Sequence, residues 1–494
     1  MSASVTISTW FFLLLAVLAI LAVLDRILIP STRWFLRRRI NRVIDEIGTR
    51  LSIKLRPFQL TKRQVLIDRL VYDPQVLAAI QAYAKTHNMP LQVVQNRVKA
   101  FASEIVPSFN AYFYFRIGYW IAKRVARFLY RVRVGLLDET RYDGIDGDAT
   151  VVFVMNHRSN MDYILVAFLV AERATLSYAV GEWARIWPLQ TLIRAMGAFF
   201  VRRQSGDMLY RRVLERYIHM ATREGVCQAV FLEGGLSRDG RLQRPKLGLV
   251  DYMLREYNVA EDRDIVFVPV GINYDRTLED RSLIRTLDPS MPKRSLWFVI
   301  RTTCAFILRS LFLMVLSRWR RYGYACVNFG KPVSIKAYCH DKGLDFRLID
   351  RAARFAQVER LCGDLMEEIA AVIPVLPVSL VCTVLLRAGD EALDILEIER
   401  RAGRLQNELQ ARGAPVFALS RSMRAGVVAD AVDFLLLRKL IAATGEGIQV
   451  IGREIPVLRY YANAIAHWRP EGRVEGSGGE ARHLQERRSR AIGA

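Results

Sequence analysis

The stretch "VMNHRSNMDYILV", Val154 to Val166, sets a histidine and an aspartate five positions apart, where an apolar run gives way to a polar turn and then to a second apolar run. On one continuous α-helix, positions five apart lie about 140° apart on the wheel and cannot meet. If His157 ends a strand and Asp162 stands in the first turn of the helix that follows, the imidazole can fold back over the carboxylate. A carboxylate on Nδ1–H fixes the tautomer and leaves Nε2 able to take a proton. "SNMD" (Ser159 to Asp162) also fits a capping box, with Ser159 as the cap and Asp162 reaching back to a backbone N–H. No serine or cysteine nucleophile accompanies the pair, so the nucleophile would be a substrate hydroxyl.

The surrounding pattern agrees with a strand, a loop and a helix. Between Ala149 and Val333, "ATVVFVM", "ATLSYAV", "GAFFV", "CQAVFLE" and "DIVFVPVGI" read as strands buried on both faces. "MDYILVAFLV", "DMLYRRVLERYIHMATRE" and "PKLGLVDYMLREY" read as helices between them. That alternation predicts an α/β domain, residues 146–340, with a mostly parallel sheet flanked by helices and a site in the loops at the carboxyl ends of the strands.

The charge balance points to a polyanionic partner: 72 Lys and Arg stand against 49 Asp and Glu, a net +23. The N-terminus turns this toward a membrane. From Met1 to Leu24 no side chain is charged, and "WFFLLLAVLAILAVL" (Trp10 to Leu24) with Val5 to Thr9 reaches about the 20 residues a bilayer span needs. Arg26, Arg33, Arg37, Arg38, Arg39 and Arg42 follow it, so residues 1–30 predict an anchor with the rest of the chain on the cytoplasmic side of the cell membrane. Two segments, Tyr112 to Val134 and Ser295 to Tyr324, mix bulky apolar residues with arginines as interfacial helices do; the second gives the domain an expected membrane-associated insertion at about 290–324. No groove-reading or base-stacking signature supports nucleic acid as the partner. Six scattered cysteines without a CxxC pair read as reduced, mostly buried thiols.

The flanks are expected to be helical, over 31–145 (with a proline-started helix in Tyr72 to Asn88) and over 341–467, broken at "VIPVLPVS" (Val372 to Ser379). The tail 468–494, rich in Gly, Arg and Glu, is expected to be disordered.

Three further motifs stand at strand ends: "GAFFVRR" (Gly197 to Arg203), "FLEGGLSRDGRL" (Phe231 to Leu242) and "VFVPVGINYDR" (Val266 to Arg276). With "NHRSNMDY" they resemble, in order and spacing, the four motifs of the glycerol-3-phosphate acyltransferase family, most closely the bacterial membrane-bound enzymes with the HxxxxD motif. The likeness resumes at "VNFGKPVSI" (Val327 to Ile335). It implies direct transfer of an acyl chain from acyl-CoA or acyl-carrier protein to the sn-1 hydroxyl of glycerol 3-phosphate, with no metal or cofactor. His157, oriented by Asp162, would be the base. Arg203, Glu233, Gly234, Ser237 and Arg238 match positions that bind glycerol 3-phosphate or shape its site, and Pro269 matches one that positions the acyl donor. Arg202 is either a second phosphate contact or a solvated neighbour. Bottom-up, a small dianion needs fixed guanidinium groups and backbone N–H donors, and Gly234 and Gly235 let the backbone approach it.

Leu236 stands where the close bacterial relatives carry an arginine, which opens the acceptor assignment to lysophosphatidate or dihydroxyacetone phosphate. A catalytically silent lipid-binding protein of the same fold is the other reading.

Overall fold

The strand expected to end at His157 is β2, and the whole sheet is organised around it. The computed structural model describes residues 56–135, 144–170, 176–181, 189–202, 205–287, 322–416 and 421–469. Its main sheet comprises β1 (Arg131–Val134), β2 (Thr150–Met155), β3 (Ser177–Gly181), β4 (Phe199–Val201), β5 (Gln228–Phe231), β6 (Ile265–Tyr274), β7 (Tyr324–Phe329) and β8 (Val333–Ser334). The order is β1-β7-β6-β2-β5-β3-β4, with β8 beside β6. Every pairing is parallel except those of β6 with β7 and β8. The mostly parallel α/β sheet read from the sequence is therefore present.

β2, β5 and β6 are buried along their full length, which is why they read as unbroken apolar runs. The strand period sorts their side chains between two cores. Val152 and Val154 point into one, shared with the helices Pro74–Thr86, Leu91–Ile105, Met208–Arg223 and Arg351–Val372. Val151, Phe153 and Met155 point into the other, under the helices Tyr119–Leu129 and Met161–Val170.

Both flanks carry strands that sequence periodicity did not call for. Within the stretch read as helical from 31 to 145, Arg131–Val134 forms β1, an edge strand whose alternating Arg and Val are too short to signal a strand. Within 341–467 the hairpin β9 (Ile441–Thr444) and β10 (Gly447–Val450) interrupts the helices. The proline break falls as expected: one helix ends at Val372 and the next begins at Pro377. That junction docks on the sheet where β6 has no side chain, since a Cβ at Gly271 would come within 2.5 Å of the Val372 carbonyl oxygen.

The expected anchor in residues 1–30, the segment 288–321 and the tail from residue 470 lie outside the described residues. Among the described residues, no helix is long and apolar enough to cross a membrane. Cys227, Cys326, Cys339, Cys362 and Cys382 are free and buried.

Candidate active site

β2 hands its ladder to a side chain before it ends. Asn156 Nδ2 donates to the Ile272 carbonyl at 2.9 Å, and its Oδ1 accepts from the Ile272 N–H at 2.8 Å, so the chain leaves the sheet with β6 still paired to it. His157 follows, 1% exposed, stacked on Phe231 with ring centroids 3.9 Å apart and met edge-on by Tyr163.

Asp162 stands in the first turn of the next helix and takes four hydrogen bonds. Its Oδ2 accepts from His157 Nδ1 at 2.9 Å and from the N–H groups of Arg158 and Ser159 at 2.7 and 3.1 Å. Oδ1 accepts from the Tyr274 hydroxyl at 2.6 Å. The two readings of "SNMD" thus hold together: Ser159 Oγ accepts from the Met161 N–H at 3.1 Å while Asp162 reaches back, and the same carboxylate orients the imidazole. His157 Nε2 is buried and has no hydrogen-bond partner among the described residues.

The third motif lies across the same loop. Glu233, buried at the end of β5, accepts from the His157 N–H at 2.9 Å through Oε1 and from the Gln243 N–H at 3.1 Å through Oε2. Burial pushes its carboxyl up to about 7, against the pull of the Arg158 charge and those two N–H donors. Glu233 is thus a strut that ties the loop after β5 to the loop after β2, with one N–H on each carboxylate oxygen. Ser237 is fully buried, its N–H donating to the His157 carbonyl at 3.0 Å and its hydroxyl to the Arg241 carbonyl at 2.7 Å. Gly234 has φ +66°, and a Cβ there would come within 2.7 Å of Lys246 Cγ; its turn leaves the Lys246 stem lying across the loop. Arg238 is exposed and without a hydrogen-bond or ion-pair partner among the described residues. Leu236 packs against the C-terminal core, which accounts for an apolar residue at that position.

Arg203 lies outside the described residues. Arg202, either a second phosphate contact or a solvated neighbour by sequence, is half-buried here, with Nε and Nη2 donating to both oxygens of Glu104 at 2.9 and 2.6 Å. Pro269 sits in β6 opposite Val154 of β2. Its carbonyl accepts from Gly330 at 2.7 Å, and β6 pairs with β8 just before it and with β7 just after it. The missing N–H therefore falls in the gap between two partner strands, the place where a buried strand tolerates proline.

Two residues that sequence reasoning did not single out hold the loop from β6. Tyr274 ends that strand, 112 positions from the carboxylate it caps. Glu279 accepts from Ser159 Oγ at 2.7 Å and from the backbone and side-chain nitrogens of Asn160 at 3.3 and 3.1 Å. Burial raises its carboxyl above the ordinary range. Tyr274 lay inside a quoted motif, but nothing in one sequence ties it to Asp162.

Beside the pair opens an apolar cavity of about 170 Å³, lined among others by Asn160, Tyr163, Tyr178, Ile121, Ile193 and Met196. Tyr163 connects it to the His157 ring.

A buried His–Asp pair at the carboxyl end of a parallel strand, with an imidazole nitrogen left without a partner near an apolar cavity, is an arrangement that can take a proton from a substrate hydroxyl. Comparison with known proteins agrees. Residues 136–273 match the family model described as Acyltransferase, and residues 309–469 match the one described as Glycerol-3-phosphate acyltransferase C-terminal region. The chain is similar to proteins named glycerol-3-phosphate acyltransferase, the family its four motifs resemble. Proteins of that name are similar to it in Haemophilus ducreyi (28% identity, over 59% of this chain and 34% of the relative) and Pasteurella multocida (26%, over 83% and 50%). In Pseudomonas putida the identity is 28%, over 68% of this chain and 40% of the relative. The chain thus spans between a third and a half of the length of these curated relatives. A crystal structure of a 1-acyl-sn-glycerophosphate acyltransferase from Thermotoga maritima aligns at 19% identity over 51% of this chain and 79% of the other, with a TM-score of 0.28.

Proposed function

We propose that the chain transfers an acyl group from a thioester donor, acyl-CoA or acyl-carrier protein, to the sn-1 hydroxyl of glycerol 3-phosphate, yielding lysophosphatidate. The observation that carries this reading is the unpartnered, buried Nε2 of His157, with its Nδ1 held by Asp162 at 2.9 Å. His157 takes the hydroxyl proton as the oxygen attacks the thioester carbonyl; the tetrahedral oxyanion collapses, the C–S bond breaks and the thiol leaves with a proton. The acyl chain lies in the apolar cavity beside Tyr163. Arg238, Lys246 and Arg203 supply the cations for the phosphate.

A membrane location fits the same geometry. The helical segment 113–129 exposes Ile117, Trp120 and Ile121, with Arg124 stacked on Trp120 at 5.2 Å, and its Gly118, Ile121 and Ala122 line the cavity. An acyl chain would pass between bilayer and site along this face.

The test is thiol release from palmitoyl-CoA by detergent-solubilised protein, with glycerol 3-phosphate, dihydroxyacetone phosphate or lysophosphatidate as acceptor. Release is expected with glycerol 3-phosphate, and His157→Ala is expected to lower it roughly 10²- to 10⁴-fold. Preference for another acceptor would reassign the substrate. No release with any acceptor, from either donor, would overturn the enzymatic reading.

A further inference from the structure

Arg158 is a buried charged residue of the first motif to which the proposed reaction gives no task. Its side chain is 2% exposed, yet no carboxylate among the described residues forms an ion pair with it. Nη1 donates to the Gly240 carbonyl and Nη2 to the Ala464 carbonyl at 3.5 Å. Its own N–H donates to Asp162 Oδ2 at 2.7 Å. A buried guanidinium is costly unless its donors are met, and its rigid fork suits a place where separate segments must be tied together.

The segments it ties are distant in sequence and converge on one helical turn. Tyr460 and Asn463 belong to the helix Ile455–Asn463. The Tyr460 hydroxyl lies 3.4 Å from the Arg158 carbonyl, in the loop after β2, and 3.5 Å from Thr277 Oγ1, after β6. Asn463 Nδ2 donates to the Asp239 carbonyl at 2.9 Å, in the loop after β5. Gly240, at φ +85°, admits this approach: a Cβ would come within 2.0 Å of the Tyr460 carbonyl oxygen. The neighbouring Tyr461 hydroxyl donates to Asp280, which Arg438 also grips, and accepts from the Thr277 N–H at 3.2 Å. Three of the motif loops therefore rest on the same turn.

We propose that Arg158 is a positioning residue through which the helix Ile455–Asn463 and Ala464 hold the His157–Asp162 loop in working geometry, so that the C-terminal region is part of the active site. The inference rests on the general-base reading of His157. Among the described residues, the titratable and charged groups facing that loop are Asp162 and Tyr163 on its own helix, Glu233 after β5, Tyr274 and Glu279 at and after β6, and Tyr460 and His467 from the C-terminal region.

Arg158→Lys keeps the charge and loses the fork, so it separates geometry from electrostatics. In the full-length protein kcat is expected to fall about 10- to 100-fold, as for a misplaced base, with both KM values within twofold. The acid limb of the kcat/KM profile should move to lower pH, because a loosened carboxylate stabilises the imidazolium less. Asn463→Ala, which removes only the bond to the Asp239 carbonyl, should move the same limb by less. A lost folded fraction would scale the whole profile and leave its shape intact; that result, or parental kcat in folded Arg158→Lys, overturns the proposal. If the parent releases no thiol, the proposed function fails while the positioning claim stays testable by NMR of 13C-histidine-labelled protein, with His157→Gln assigning the signal. An unchanged His157 ring titration in both variants then overturns it, and a shifted one supports it.

Discussion

The loops after β2 and β4 stand at equivalent ends of parallel strands, yet they are built differently. After β2, one carboxylate receives four hydrogen bonds and Glu233, Glu279 and Ser237 brace the backbone around it. After β4, the guanidinium of Arg202 is held by Glu104, on the helix Leu91–Ile105, and lies over the rings of Phe101 and Tyr210. Position in the sheet explains the contrast. β2 is central, so loops from β5 and β6 converge on its end; among the described residues β4 is an edge strand, paired with β3 alone. The His157–Asp162 pair is assembled by the middle of the sheet, whereas the cation described at the rim depends on the helix that lies alongside.

The strongest challenge to this contrast is Asp162→Asn. An amide still caps the helix but holds the wrong tautomer, so kcat is expected to fall about 10³- to 10⁴-fold with the fold intact by circular dichroism. A loss below tenfold would mean that backbone bracing alone positions His157.

Arg202→Ala should do far less to the reaction. Because its guanidinium is committed to Glu104 and a third of its side chain is exposed, we expect a stability loss of about 1 kcal/mol or less in urea titration. Acceptor KM should stay within about threefold, well short of the roughly 1.5–3 kcal/mol that a lost charged hydrogen bond to substrate would cost. A large rise in KM would place Arg202 on the phosphate and break the distinction.

The smallest effect concerns the junction that the C-terminal region makes with β6. Asp275 is buried there, accepting from the N–H groups of Tyr324 at 2.8 Å and Val378 at 3.2 Å, and burial pushes its carboxyl up to about 6. A carboxyl whose folded pKa is raised favours the native state below its unfolded value of 3.8, and that contribution is lost as pH climbs through about 6. Melting temperatures measured across pH 4–7 should fall less steeply in Asp275→Asn than in the parent. An identical slope would show that Asp275 does not carry this dependence.

How much of this was legible in the chain differs from residue to residue. His157 and Asp162 were readable because a buried parallel strand announces itself as an apolar run and the pair lies within one turn of its end. Glu233, Gly234 and Ser237 were readable through their motif, which left open whether Glu233 binds substrate or shapes the site; its bonds to the His157 and Gln243 N–H groups could not be read from one sequence. Arg202 was left open by the sequence, because Glu104 lies 98 positions away. β1 and the β9–β10 hairpin escaped notice because four-residue strands carry too little periodicity.

By itself, then, the sequence determined the parallel α/β sheet, the strand ends at which the motifs stand and the meeting of His157 with Asp162, since each rests on local patterning: burial period, loop position and spacing within a turn. Tertiary structure alone decided that Tyr274 caps Asp162, that Arg158 reaches Gly240 and Ala464, and that Leu236 turns into the C-terminal core. Those contacts join residues 82 to 306 positions apart. Chain folding brings such groups together through shape and hydrogen-bond satisfaction, and neither leaves a period in a single sequence.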